Sequence, residues 1–326
     1  MITRPEALGR WKGVLIPIVT PFTKTGELNL SALYDNTRWL IERGATLGNS
    51  ILLAAGSGGD FTSMNVTERI EVISTIARAS AGALPVIAGA QSLDIRESVE
   101  ICQACEALGV DGVQISGPYY YDGRPGDVIA WLETIASQTS IAFALYNNWY
   151  TGYNMPLTLV ERLLEIPNVS GLKWSAPDMP TFFEGVRRFA GKLAVINNTF
   201  NAVPGYLAGC TAFVSHIPNF WPEFGWRILD LMESDRYEEA QAEFDRVMEP
   251  YEALVGQIQR ETAGEAVFVR PAMAAVGLEA GLSRLPSRDA VIGAELQETF
   301  SRFVSTFVTN APASSADKAH LLPTTH

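Results

Sequence analysis

Short apolar runs alternate along the chain with longer stretches whose apolar residues recur every three to four positions, the marks of strand and amphipathic helix. Residues 14–20 read as a strand, and 30–43 follow as a helix with Leu33, Trp39 and Leu40 in its apolar stripe and Gly44 beyond its end. The unit then repeats: 50–55 with 66–79, 84–88 with 95–108, 112–116 with 128–137, 141–146 with 157–165. Residues 169–173 with 181–189, 193–196 with 202–208, and 212–215 with 224–232 complete eight strand-helix pairs. The strand runs are apolar on both faces, as in a parallel sheet covered by helices. An eightfold alternation predicts an α/β protein with a closed (β/α)8 TIM barrel, whose functional groups collect at the C-terminal ends of the strands. The alternative, a doubly wound open sheet, is disfavoured because no G-x-G-x-x-G follows the first strand.

After residue 235 the strand runs cease. Three helical patterns follow, at 237–255, 265–276 and 290–308, punctuated by Gly277 and Leu285-Pro286. The expected organisation is a barrel over 1–235 carrying the site, a C-terminal helical appendage over 236–309, and an Ala/Ser/Pro/Thr-rich tail over 310–326 that reads as disordered.

Composition narrows the chemistry. With 326 residues and 47% hydrophobic content, the chain can bury a large core. No apolar run reaches the 18 or so residues that a spanning helix needs, and residues 1–12 lack a signal-peptide core, so a cytoplasmic protein without membrane partners is expected. A net charge of −12, with 36 acids against 24 bases and no basic run, excludes a nucleic-acid surface. Cys102 and Cys105 form a C-x-x-C pair, but within a helical pattern, so they read as buried structural thiols, as does Cys210. Of the histidines His216, His320 and His326, two fall in the tail, so no imidazole cluster is expected to hold a metal.

Lys173 ends the sixth strand run, where strand becomes loop. A lysine with an ordinary pKa of ~10.4 costs about 4–5 kcal/mol to neutralise at pH 7, and burial in an apolar pocket lowers that cost enough to make it a nucleophile. The same rim receives Ser57, Gly58 and Gly59 after the second strand, Tyr119–Tyr121 after the fourth and Tyr146 at the end of the fifth. A lysine, two phenols and a hydroxyl beside glycine amides are the inventory of an imine-forming aldolase or lyase.

These segments resemble a known superfamily. Gly56-Ser-Gly-Gly-Asp60 is similar to its G-[ST]-T-G-E loop, Pro118-Tyr-Tyr120 to its P-Y-Y segment, Tyr146-Asn147 to its Y-N strand end and Gly171-Leu-Lys173 to its G-[IL]-K lysine. The superfamily is that of dihydrodipicolinate synthase and N-acetylneuraminate lyase, and the resemblance spans roughly residues 11–300. It implies a class I lyase in which Lys173 forms a Schiff base with pyruvate or another 2-oxo acid, with an aldehyde as the second partner and no cofactor or metal. It further implies that Tyr146 relays protons at the imine and the carbon bond, that Ser57 hydrogen-bonds that phenol, and that Tyr120 completes the relay from a neighbouring subunit. The amides of Ser57–Gly59 would hold the substrate carboxylate, Val214 would lie near the lysine, and the usual assembly is a homotetramer built as a dimer of dimers.

Several positions depart from the pattern. Members that make dihydrodipicolinate carry an arginine after the strand-five tyrosine, for the aldehyde's carboxylate. Here the segment reads Tyr146-Asn-Asn148-Trp-Tyr-Thr-Gly-Tyr153, so Asn148 and its aromatic neighbours are expected to line the substrate site instead. Trp174 follows the lysine, Asp60 replaces the loop glutamate, Gly58 replaces threonine and Asn197-Asn198 stand where an acid is common. The pocket is therefore expected to be wider, less charged and more aromatic. The favoured activity is aldol cleavage, condensation or dehydration of a 2-oxo acid with a neutral distal part, such as a 2-keto-3-deoxy sugar acid or an aldehyde-pyruvate adduct. The alternatives are a 4-hydroxy-tetrahydrodipicolinate synthase, and a barrel that binds 2-oxo acids without catalysis.

Overall fold

The structure is a computed structural model that describes residues 2–121 and 123–308. The expected disordered tail, His320 and His326 lie outside the described residues. Eight parallel strands close into a barrel in chain order. They are β1 (Gly13–Pro17), β2 (Ser50–Ala54), β3 (Val86–Gly89), β4 (Gly112–Ile115), β5 (Phe143–Tyr146), β6 (Val169–Trp174), β7 (Ala194–Asn197) and β8 (Ala212–Val214), and β8 pairs back onto β1.

Preceding β1 is α1 (Arg4–Arg10), and each strand is followed by a helix: α2 (Leu30–Glu42), α3 (Val66–Ser80), α4 (Ile95–Leu108), α5 (Pro125–Ala136), α6 (Leu157–Leu163), α7 (Met179–Phe189), α8 (Ala202–Ala208) and α9 (Pro222–Glu233). Three helices close the described chain: α10 (Tyr237–Gln259), α11 (Ala266–Ala275) and α12 (Ala294–Phe307).

Strand alternation divides the core in two. Outward residues such as Val113, Phe143 and Leu172 pack against the helices, while Leu15, Ile51, Leu53, Ile87, Ala144 and Ile196 fill the interior of the barrel. The same alternation turns Lys173 inward and its neighbours Leu172 and Trp174 outward. Trp174 donates from Nε1 to the carbonyl of Phe182 at 3.1 Å and lies against Gly185, so it belongs to the helix layer and adds nothing aromatic to the pocket.

Helix α1 is an element that apolar periodicity did not reveal. Thr3 and Glu6 form a capping box, and Arg4 donates to the carbonyls of Val169 and Ile166 at 2.7 and 3.2 Å. The helix closes the N-terminal end of the barrel and delivers Trp11 into its interior. Gly112 and Gly171 make room there, since a Cβ on either would sit within 2.7 Å of the indole. The glycine of the Gly171-Leu-Lys173 motif thus has a packing cause in this chain.

The C-terminal helices reach the opposite rim, at the C-terminal ends of the strands. Arg270 of α11 donates to Asp60 at 2.6 Å and to the carbonyl of Thr20 at 3.0 Å, and both members of the pair are buried. Burial pushes the Asp60 carboxyl up, against the opposing pull of the Arg270 guanidinium. The ion pair ties the loop after β2 to α11. Cys102 and Cys105 are buried and free within α4, with burial pushing both thiols up, as expected of structural cysteines.

Candidate active site

Tyr146 and Lys173 are register partners on adjacent strands, each at the C-terminal end and each facing inward. Pairing brings the Lys173 amine to 4.2 Å from the centroid of the Tyr146 ring. Burial pulls the Lys173 amine down to about 8, although the Glu265 carboxylate nearby raises it. Among the described residues no carboxylate forms an ion pair with it. The amine opens into a cavity of about 340 Å³ whose lining includes Ser57, Gly58, Tyr146, Val214, His216 and Glu265.

A second cavity of about 560 Å³ adjoins it, sharing Ser57, Tyr146, Tyr150, Gln259 and Glu265 and adding Gln91, Tyr119, Asn148 and Arg284. The Arg284 guanidinium there is engaged by Glu68 at 2.6 and 2.9 Å.

The phenol of Tyr146 bonds to that of Tyr150 at 2.9 Å. This corrects the expectation that Ser57 takes that bond: Ser57 lines the cavity, but the loop after β5 folds back and supplies its own phenol. Asn198 approaches the Tyr150 oxygen from β7 at 3.5 Å. Burial, and then the Tyr150 hydroxyl, push the Tyr146 phenol far above the usual range, so it stays protonated at neutral pH.

The 3-10 turn Ser57–Gly59 follows β2, and its Ser57 and Gly58 line the cavity. The Gly59 N–H is already bonded to the carbonyl of Gly56 at 3.0 Å, which leaves the amides of Ser57 and Gly58 as the candidate anion donors. Gly59 has a packing role instead, since a Cβ would lie 2.8 Å from the Ile18 carbonyl oxygen. Gly58 does not widen the pocket as expected. The imidazole of His216 stands over it, with Nε2 at 3.0 Å from where a Cβ would be.

His216 bonds through Nε2 to Glu265 at 3.2 Å, and this pair overturns the expectation of a less charged pocket. Burial favours the neutral acid, but the His216 hydrogen bond and the charges of His216 and Lys173 outweigh it and hold the Glu265 carboxyl below its ordinary value. His216 stands two residues beyond the end of β8, and the sequence marked it only as one of three scattered histidines. Glu265 lies beyond the barrel, and nothing local signals that the start of α11 turns into the site.

The remaining expected residues fall as follows. Val214, paired with Leu15, faces the Lys173 cavity. Asn148 lines the larger cavity, bonds to Thr151 and leaves its buried Oδ1 without a partner. Asn197 is buried and braces the loop after β7 through Asn201 and Thr199, so only Asn198 reaches the cavity. Tyr120 is not brought to the lysine within the chain. It is 81% exposed, edge-on to an equally exposed Tyr121. No group of three or more metal-ligating side chains occurs among the described residues.

Over residues 10–305 the chain matches the model of the dihydrodipicolinate synthetase family. It belongs to that family. A 4-hydroxy-tetrahydrodipicolinate synthase of Saccharophagus degradans is 26% identical over 279 residues, 84% of this chain and 92% of the relative. A probable 5-dehydro-4-deoxyglucarate dehydratase of Acinetobacter baumannii is 26% identical over 283 residues, 85% of this chain and 90% of the relative. The crystal structure of a dihydrodipicolinate synthase from Acinetobacter baumannii complexed with pyruvate superposes with a TM-score of 0.79 at 24% identity, covering 90% of this chain and 98% of that one. The chain is an enzyme of this family's lyase and aldolase class.

Proposed function

We propose that this family member is a Schiff-base lyase that joins or cleaves a carbon-carbon bond, or eliminates water, on pyruvate or a pyruvate-derived 2-oxo acid, with Lys173 as nucleophile. The observation that carries the reading is a buried amine lowered to about 8 and held in register with a phenol at the rim of a closed barrel. The pyruvate complex of a structural neighbour supports the donor substrate.

In this reading the amides of Ser57 and Gly58 receive the carboxylate, placing the keto carbon against Lys173. The neutral amine attacks, Tyr146 gives the proton that lets water leave, and the resulting Tyr146 phenolate takes a proton from the adjacent carbon as the iminium becomes the enamine. Tyr150 fixes the direction of the Tyr146 hydroxyl. Tyr120 from a neighbouring subunit and assembly as a dimer of dimers remain part of the proposal. Two phenols exposed side by side at 120 and 121 support that surface as an interface. A cytoplasmic location is proposed with it, and no described helix is long and apolar enough to cross a membrane.

The synthase reading is favoured by the name of the Saccharophagus degradans relative. Against it, the segment after Tyr146 holds no arginine, and Arg284 in the larger cavity is bound to Glu68. Incubation with pyruvate in D2O tests the core chemistry. Deuterium entering the methyl group, and none in Lys173→Ala, is expected; no exchange by the wild type contradicts the reading.

A further inference from the structure

The Lys173 cavity contains an acid-imidazole pair that the steps above do not use. His216 follows β8, packs edge-on against Phe268 at 5.4 Å, and occupies the space that the absent side chain of Gly58 leaves. Its Nε2 holds Glu265 at 3.2 Å. The Glu265 side chain is enclosed by protein, yet about a third of its surface, 32%, opens onto the two cavities it borders. Its charge also acts on Lys173, Tyr146 and Tyr150.

A carboxylate taken into such a setting is costly unless its remaining lone pairs are satisfied. Here arginine is absent from its side, and one imidazole leaves acceptor capacity facing the lysine's cavity. Past Glu265 most of the wall is apolar: Phe244, Met248 and Val255 from α10 and Phe268 from α11 line it, with the Glu252 carboxylate of α10 also at its border. Tyr251, in the same wall, buries its phenol oxygen without a partner. Apart from Lys173 and His216, no cationic side chain lines this cavity among the described residues.

We propose that Glu265, positioned by His216, is the base that takes the hydroxyl proton of a 4-hydroxy-2-oxo acid whose tail is uncharged and apolar. The proposal rests on the Schiff-base reading and names the substrate class of the same site. With the iminium formed at C2, the proton of the C4 hydroxyl passes to the Glu265 carboxylate and the C4 oxygen forms a carbonyl. The C3–C4 bond breaks, and its electron pair neutralises the iminium as the enamine. The aldehyde departs with its apolar tail along the α10 wall. The Glu265 acid then returns its proton to the enamine at C3, and attack of water on the resulting iminium releases pyruvate and the Lys173 amine.

The test uses 4-hydroxy-2-oxo-4-phenylbutanoate and its deoxy analogue 2-oxo-4-phenylbutanoate, with borohydride trapping on Lys173 and pyruvate release as readouts. Wild-type protein is expected to release pyruvate from the hydroxy acid. Glu265→Gln is expected to slow that release by about 10² or more, while pyruvate and the deoxy acid still trap Lys173 at no less than the wild-type rate. Glu265→Asp should show the same split, so the result does not depend on one variant folding. His216→Gln, which can place an amide nitrogen near Nε2, should keep more of kcat than His216→Ala, with trapping unchanged in both. Wild-type cleavage by Glu265→Gln, loss of trapping together with cleavage in both Glu265 variants, or no cleavage of the hydroxy acid by wild type each overturns the proposal. Failure of wild type to trap pyruvate instead removes the Schiff-base reading, and this proposal with it.

Discussion

A lysine with pKa about 8 is about a tenth neutral at pH 7, against roughly one part in 2,500 at the ordinary value near 10.4. Imine formation with pyruvate should therefore accelerate as pH rises through about 8 and level off above it; a midpoint near 10 would count against a functional Lys173. Glu265 opposes the lowering, so Glu265→Gln should move the midpoint to lower pH. The sign for stability is the reverse of a paired lysine's. Because the folded pKa lies below the unfolded one, protonation favours the unfolded chain, and the penalty grows as pH falls from about 10.5 to about 8. Lys173→Met should accordingly melt higher than wild type at pH 7 while losing all turnover. Tyr146→Phe should slow turnover by about 10² or more with pyruvate trapping still measurable. Tyr150→Phe should cost more than Ser57→Ala, and the opposite order would return the phenol's partner to Ser57. Lys173 and Tyr146 were legible in the sequence because strand alternation and strand-end position fix both on one inward face. The bond from Tyr150 to Tyr146 and the place of Glu265 were not, because a loop that folds back and a helix that returns to the rim leave no periodic trace.

The strand-helix alternation that marked the barrel was legible because buried parallel strands are continuously apolar and their helices amphipathic. Boundaries shifted where backbone geometry, and not hydrophobicity, ends an element. The first strand stops at Pro17, three residues before the apolar run does, and the helix read from 290 begins at Ala294, after a 3-10 turn and Gly293. Helix α1 escaped because seven residues are too few to show a period, although Thr3-Arg-Pro-Glu6 carries a capping-box spacing. Its contribution can be measured: Trp11→Ala should lower stability by about 3–5 kcal/mol in a denaturant titration, as expected for a cavity left by a fully buried aromatic. A loss below about 1 kcal/mol would mean that the indole does not seal the barrel. Arg270→Met should strand the buried Asp60 charge, loosen the loop after β2 from α11 and thereby disturb Glu265 as well as stability.

At the scale of the molecule, the barrel supplies the lysine, the phenol and the Ser57–Gly59 turn, and the C-terminal helices supply the carboxylate and most of the apolar wall. The division into a barrel and a helical appendage therefore does not confine the site to the barrel, since Gln259 and Glu265 line both cavities. The cavity's charge bears on substrate choice. Two carboxylates, Glu252 and Glu265, border the lysine's cavity, so an acceptor carrying a second carboxylate meets repulsion there. Robust turnover of aspartate semialdehyde would contradict that selectivity. The most direct measurement of the central claim is borohydride reduction in the presence of pyruvate, followed by peptide mass spectrometry. One reduced pyruvate adduct per chain, on Lys173, is expected, and none without pyruvate. An unmodified Lys173, or an adduct on another lysine, would contradict the claim.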